Sequence, residues 1–424
     1  MNLHARGISV AFSFNPSDPE ENNTRKQIME INSDDSYNNP GRFMTSGSGG
    51  SRGFGGRGLL IFGDKGKSLF LTGSGASDEG DRPFIDKYDI KTGKTTRLWR
   101  SEAPYYETVS DMIDPVNMVF ITNRQSLTDP PNYFIRNLKT KKLTPITDFK
   151  NPYPQFEDVK KEVVKYQRAD GIDLTFDLYL PAGYDKEKEG PLPTILWAYP
   201  REFQSADAAG QVSGSPYTFT RVSASSILVF VTQGYAILNN AAFPIVGTDD
   251  IEPNDTFIEQ LIMNAEAAID KAVEMGVTDR DRVGVGGHSY GAFMTANLLA
   301  HSRLFAAGAA ESGAYNRTLT PFGFQNERRT YWEAPELYYE MSPFMHADGV
   351  KDPILLIHGL ADNNSGTFPI QSERFYAALK GHGAVARLVE LPLESHGYAA
   401  RESVLHKQWE ILQWFDKYVK NREK

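Results

Sequence analysis

From about Asn151 to the C-terminus, short apolar runs alternate with stretches of helical period, and that alternation leaves few folds open. Residues 174–180 alternate as a half-buried strand. Runs 194–199 and 227–231 are nearly continuous apolar stretches, as strands covered on both faces require. Segments 282–286, 354–357 and 386–391 read as further strands. Ile258, Leu261, Ile262, Ala265, Ala268, Ile269, Ala272 and Val273 share one face of a helix predicted over 255–275, and Gly276 supplies its stop. Helices are also expected over 292–301, 372–380 and 404–420. Strand and helix alternating in this way predict an α/β fold, a mostly parallel sheet flanked by helices, over 151–424.

Residues 1–150 read as short strands punctuated by turns. Runs 58–62 and 68–72 flank Gly63-Asp64-Lys65-Gly66-Lys67, a hairpin signal, and 116–122 is another strand candidate. Stretch 88–98 lines up with 136–146 at an offset of 48 residues. That spacing fits one four-stranded propeller blade, the plainer alternative being two unrelated hairpins with similar turns. The length allows roughly three blades where closed propellers have four or more, so an incomplete β-propeller-like segment or an open β-domain is expected. The glycine-rich stretch 46–58 reads as a flexible loop. It has no Gly-Lys-Ser/Thr ending and no following helix, which excludes a phosphate cradle.

The 424 residues contain no cysteine, which removes disulfides, cysteine-ligated metal clusters and thiol nucleophiles. A net charge of −9 argues against nucleic-acid partners. No stretch reaches the ~18 consecutive apolar residues of a membrane span, and the opening MNLHARGISV lacks the apolar region of a secretory leader. Cytoplasm is then the default setting, with an exported or periplasmic one the alternative if a leader precedes this start.

The most specific motif is Gly287-His288-Ser289-Tyr290-Gly291, a G-x-S-x-G between a predicted strand and a predicted helix. A tight turn there lifts the serine oxygen above the sheet edge, and the helix start directs free amides at developing negative charge. A serine hydroxyl needs a base, and the base an orienting acid. The α/β-hydrolase order of Ser, then acid, then His, each after a strand, is met by Asp362 beyond strand 354–357 and His396 beyond strand 386–391. Asp348 and Asp352 precede their strand, and Glu394 is too near His396 in sequence. Of the other histidines, His288 lies in the elbow, His358 ends a strand, and His4 is far upstream. His301, His346 and His406 read as surface or helix-end residues, and His382 as a loop residue. The amide of Tyr290 is one expected oxyanion donor, and the end of strand 194–199 is where a second would come from.

Gly287-His288-Ser289-Tyr290-Gly291-Ala292-Phe293-Met294, Ile357-His358-Gly359-Leu360-Ala361-Asp362 and Ser395-His396-Gly397-Tyr398 together resemble the prolyl oligopeptidase family of serine peptidases. Ser312-Gly313-Ala314-Tyr315-Asn316-Arg317-Thr318-Leu319-Thr320-Pro321-Phe322-Gly323-Phe324-Gln325 is similar to its glutamyl endopeptidase branch. The resemblance implies an α/β-hydrolase domain covered by a β-propeller, peptide or unfolded polypeptide substrates, and no cofactor or metal. It implies Ser289 as nucleophile, Asp362 as orienting acid, His396 as base and the Tyr199 hydroxyl as second oxyanion donor. Family members carry a full propeller, so the chain is expected to be a piece of a longer enzyme.

Cleavage after glutamate would need a cation in the first pocket. Arg317 is the candidate and Arg201 the second, with an ordinary ion pair the alternative for each. Asn364 resembles a position that holds a substrate carbonyl. A carboxylesterase, an acylaminoacyl-type hydrolase and an inactive interaction fragment are the rival readings. A homo-oligomer is left open.

Overall fold

The computed structural model describes residues 8–13, 26–32, 34–46, 58–248 and 250–422, so the glycine-rich stretch falls almost wholly outside the described residues. By internal contacts the chain divides into two units, Met1–Pro154 with Gln211–Arg221, and Gln155–Gly210 with Val222–Lys424. The sequence boundary near 150 did not separate out the inner segment 211–221. That segment, rich in Gly, Ser and Thr and without a period of either kind, groups with the first unit.

The second unit is built on one eight-stranded sheet. Its strands are β1 (Lys160–Gln167), β2 (Asp173–Leu180), β3 (Leu192–Ala198), β4 (Ala236–Ala241), β5 (Thr278–His288), β6 (Ala307–Glu311), β7 (Ile354–Gly359) and β8 (Ala386–Leu391). They lie in the order β1-β2-β4-β3-β5-β6-β7-β8. β1 and β2 are antiparallel, β2 meets β4 antiparallel, and every pair from β4 to β8 is parallel. This is an α/β-hydrolase sheet.

The crossover helices are α1 (Phe257–Glu274), α2 (Tyr290–His301) and α3 (Ile370–Gly381), and α4 (Arg401–Phe415) follows the last strand. α1 buries Leu261, Ala265, Ala268, Ile269 and Ala272 against the sheet, the face expected from their spacing. α2 is apolar nearly all round and buried along its whole length except His301, as a helix enclosed by its neighbours must be. In the sheet, Ile195, Leu196, Val283, Val285 and Ile354 to Ile357 are fully buried, each contributing about 1.5–3 kcal/mol through lost water contact.

The apolar run 227–231 is not a strand. It forms part of a 3₁₀ helix, Ile227–Gln233, while the strand in that place is β4, a few residues on. Ser226 accepts from the Leu228 amide at the start, and Gly234 takes a left-handed conformation (φ 82°) at the end. Those two punctuating residues decide the matter, because a short apolar run has no period of its own.

In the first unit, strands Ser68–Gly73, Phe84–Asp89 and Thr95–Arg100 form an antiparallel sheet edged by Arg42–Phe43 and Phe62–Gly63. Phe62–Gly63 and Ser68–Gly73 are the expected hairpin. A second sheet is the four-stranded meander Tyr106–Asp114, Val119–Gln125, Asn132–Asn137 and Lys142–Pro145. The strand expected at 116–122 starts later, because Met118 lies in the preceding turn with φ 54°. The repeated stretches form the last hairpin of each sheet, and they turn the same way. The Asp89 carboxylate accepts from the Thr92 amide at 2.7 Å, and Asn137 accepts from the Thr140 amide at 3.0 Å. The repeat is therefore a repeated Asx-stabilised turn at equivalent places in two sheets.

Candidate active site

β5 ends at His288 and α2 begins at Tyr290, leaving Ser289 alone in the connection with φ 60° and ψ −115°. A non-glycine residue in that region is strained and must be held by its surroundings. The Ser289 amide donates to the Glu311 carbonyl at 2.8 Å. A Cβ on Gly287 would stand 2.6 Å from the Gly291 carbonyl carbon, and one on Gly291 would stand 2.5 Å from the Ala198 oxygen. Both flanking glycines are thus required by close approach. The helix then opens directly behind the serine with its first amides facing outward from the sheet edge.

Asp362 follows β7 and His396 follows β8, so both stand at the carboxyl end of the parallel strands, as Ser289 does. His396 Nδ1 lies 2.8 Å from Asp362 Oδ2; the Asp362 side chain is fully buried and that of His396 is 24% exposed. The other carboxylate oxygen accepts from the Asn364 amide at 2.9 Å. The loop carrying His396 is anchored on both flanks. His288 Nε2 donates to the His396 carbonyl at 2.7 Å, and burial holds the His288 pKa below its ordinary range. Glu394 accepts from the amides of Ala399 and Ala400 at 2.8 and 2.9 Å, which makes it a loop brace.

Two neighbours of Asp362 had escaped the sequence reading. The Thr367 hydroxyl donates to Asp362 Oδ2 at 3.0 Å and stands 3.0 Å from His396 Nδ1. His358 Nε2 lies 3.2 Å from the same Asp362 oxygen. The signal for His358 was its place on a strand end four residues before the acid; Thr367 carried none.

A cavity of about 370 Å³ opens beside Ser289, lined by Tyr290, Arg317, Phe322, Phe324, Asn364 and Thr367 among others. Arg317 is only 4% exposed. Its guanidinium carbon sits 4.1 Å from the ring centroid of Phe293, 4.3 Å from Phe324 and 5.4 Å from Tyr290, and its Nε has no hydrogen-bond partner. Burial lowers its pKa to about 10, so it remains a cation at neutral pH. The carboxylate whose charge reaches it is Glu202, which instead accepts the Tyr290 hydroxyl at 2.7 Å. Burial raises the pKa of Glu202, against that hydrogen bond.

Tyr199 is 48% exposed, its ring edge-on to Tyr290 at 5.9 Å and its hydroxyl accepting from Gln325 Nε2 at 3.3 Å. Asn364 is exposed on the cavity wall, its side-chain oxygen accepting from the Gly366 amide. Arg201 is also exposed; its guanidinium lies over the Phe203 ring at 5.2 Å and it is not part of the cavity lining. Among the described residues no three His, Cys, Asp or Glu side chains group closely enough to hold a metal ion, and no helix is long and apolar enough to cross a membrane.

Residues 260–422 match the model of the prolyl oligopeptidase family. The chain carries a domain of that family. The model of X-Pro dipeptidyl-peptidase (S15 family) matches residues 170–334. A probable chloroplastic glutamyl endopeptidase of Oryza sativa subsp. japonica is 54% identical over 84% of this chain and 39% of its own length. Its Arabidopsis thaliana counterpart is 52% identical over 84% of this chain and 38% of its own. The chain therefore spans about two-fifths of the length of these plant relatives. Among solved structures, a putative dipeptidyl aminopeptidase IV from Bacteroides ovatus aligns with TM-score 0.66 at 20% identity, over 93% of this chain and 51% of its own. The Pyrococcus horikoshii acylaminoacyl peptidase aligns with TM-score 0.60 at 19% identity, over 84% and 55%. These two support the fold.

Proposed function

We propose that the protein is a serine peptidase that works through an acyl-enzyme and prefers glutamate before the scissile bond. His396, oriented by Asp362, takes the proton of Ser289 as its oxygen attacks the peptide carbonyl. The oxyanion that forms is received by the Tyr290 amide and the Tyr199 hydroxyl. His396 then gives its proton to the departing amine, and water releases the acyl group by the same route in reverse. Asn364, on the cavity wall, is the candidate to hold a substrate carbonyl.

The observation that carries the glutamate preference is Arg317. It is a buried cation whose Nε has no hydrogen-bond partner, seated on aromatic rings in the cavity that also exposes Ser289. A substrate carboxylate entering there would supply the planar, charge-assisted partner that the guanidinium lacks. The glutamyl endopeptidase naming of the plant relatives supports the same reading. Arg201, exposed over Phe203, has no comparable setting.

Ser289→Ala tests the mechanism. The variant should lose at least about 10³-fold in kcat on an acyl-Glu-anilide, lose labelling by a fluorophosphonate probe, and still bind the peptide. Hydrolysis that survives the substitution would refute the assignment. Turnover of simple esters with no turnover of peptide amides would favour a carboxylesterase instead.

A further inference from the structure

The side chain of His358 is 1% exposed, and each of its ring nitrogens is committed. Nδ1 is 2.6 Å from the Ser372 hydroxyl, and Nε2 is 2.7 Å from the Thr367 carbonyl and 3.2 Å from Asp362 Oδ2. A carbonyl oxygen only accepts, so the proton is on Nε2, shared between Thr367 and Asp362. Nδ1 then carries the lone pair and accepts from Ser372. The tautomer is thereby fixed, and burial, which holds the ring's pKa below its ordinary range, keeps it neutral.

We infer that His358 is a positioning residue for the Asp362–His396 pair, a role that rests on the reading of that pair as the base of the reaction. Three donors converge on Asp362 Oδ2: His396 Nδ1 at 2.8 Å, the Thr367 hydroxyl at 3.0 Å and His358 Nε2 at 3.2 Å. Two of them, Thr367 and His358, are also bonded to each other through the Thr367 carbonyl. The clamp fastens an otherwise exposed stretch, 363–365, to the end of β7 on one side and, through Ser372, to the first turn of α3 on the other. The carboxylate therefore takes its direction from the interior of the sheet and not from the solvent-facing loop. His396 needs that direction most when it becomes a cation in the transition state, so loss of the clamp should reduce the rate of acylation more than substrate binding.

The experiment compares His358→Leu, His358→Gln and Ser372→Ala with the intact chain and with Asp362→Asn. It measures kcat and KM on an acyl-Glu-anilide, the rate of fluorophosphonate labelling, and the melting temperature. His358→Leu should lower kcat and the labelling rate by about 10–100-fold with KM changed less than about threefold. His358→Gln, which returns an N–H toward Asp362, should recover most of that loss. Ser372→Ala, which removes the donor to Nδ1 and with it the ring's anchor on α3 without opening a large cavity, should lower kcat at least about twofold at an unchanged melting temperature. If Leu and Gln variants lose rate equally, or if Ser372→Ala labels as fast as the intact chain, the positioning role is overturned. Asp362→Asn separates this from the underlying reading: an Asn variant with unchanged kcat removes the orienting role of Asp362 itself, whatever His358 does.

Discussion

Two buried cations in the second unit have opposite surroundings. Lys407 on α4 and Arg317 beside the cavity are each 4% exposed. Lys407 Nζ lies 2.8 and 3.0 Å from the two carboxylate oxygens of Glu311 and 3.2 Å from the Ser225 carbonyl, so all three of its protons are used. Arg317 lies on ring faces, and Glu202, the nearby carboxylate, is engaged by a tyrosine. A saturated cation is a joint between α4 and the end of β6. One left with donor capacity at the edge of a cavity is able to meet a ligand, and that contrast is the physical ground of the specificity proposed for Arg317.

The largest effect expected from this contrast is on the saturated member. Lys407→Met leaves Glu311 buried and unpaired and should cost about 3–5 kcal/mol in urea-unfolding free energy, most of it regained in Lys407→Met/Glu311→Leu. A single substitution that costs nothing would mean the pair is no joint. Arg317→Met should do the reverse, keeping or raising stability while kcat/KM on glutamyl substrates falls on the order of 10²-fold or more and that on leucyl substrates does not. Equal loss across Ala, Leu and Glu substrates would remove the specificity role.

The smallest effect concerns a half-buried histidine at the end of α2. His301, at the end of α2, packs edge-to-face on His346 with ring centroids 4.5 Å apart, and Nε2 of each is buried without a partner. Burial, with His346 adding to it, lowers the His301 pKa to about 4. The folded state thus holds the ring neutral where the unfolded chain, with its ordinary value of about 6.5, binds a proton. Stability should be level above pH ~6.5 and fall as pH drops toward about 4. The partly exposed setting limits this to about 1 kcal/mol. Melting temperatures at pH 7 and 4.5 should converge in His301→Gln; an unchanged slope would show that the loss lies elsewhere.

How far the site could be read from sequence followed how local its causes were. Ser289 was legible because two glycines and a strand–helix junction are written side by side, and Asp362 and His396 because each follows its strand closely. Thr367 and His358 were not, since their importance comes from a loop folding back on one carboxylate oxygen. His301 and His346 read as surface or helix-end residues, and His301 does end α2, but their pairing is not legible because they lie 45 positions apart and only the fold brings the rings together. Arg317 ranks ahead of Arg201 by resemblance alone; what the structure adds is a difference in exposure, Arg317 buried and Arg201 exposed. In the fold, the apolar runs mark β2, β3, β5, β7 and β8; β1 (KKEVVKYQ) and β6 (AGAAE) lack such a run, and at 227–231 Ser226 and Gly234 bound a helix of the same composition as a strand.

The division of the chain has a practical consequence for anyone who wishes to dissect it. Because Gln211–Arg221 groups with the first unit, the backbone passes from one unit to the other at 154/155, at 210/211 and again at 221/222. A protease that nicks the first of these junctions frees residues 1–154 from the covalent chain, and of the first unit only 211–221 stays joined through the backbone to the second. A catalytic unit expressed from Gln155 onward would carry a stranded loop. The Phe219 amide would have lost the Gln125 side chain that accepts from it at 3.1 Å, and the Gly214 carbonyl would have lost the Asp81 amide at 2.7 Å.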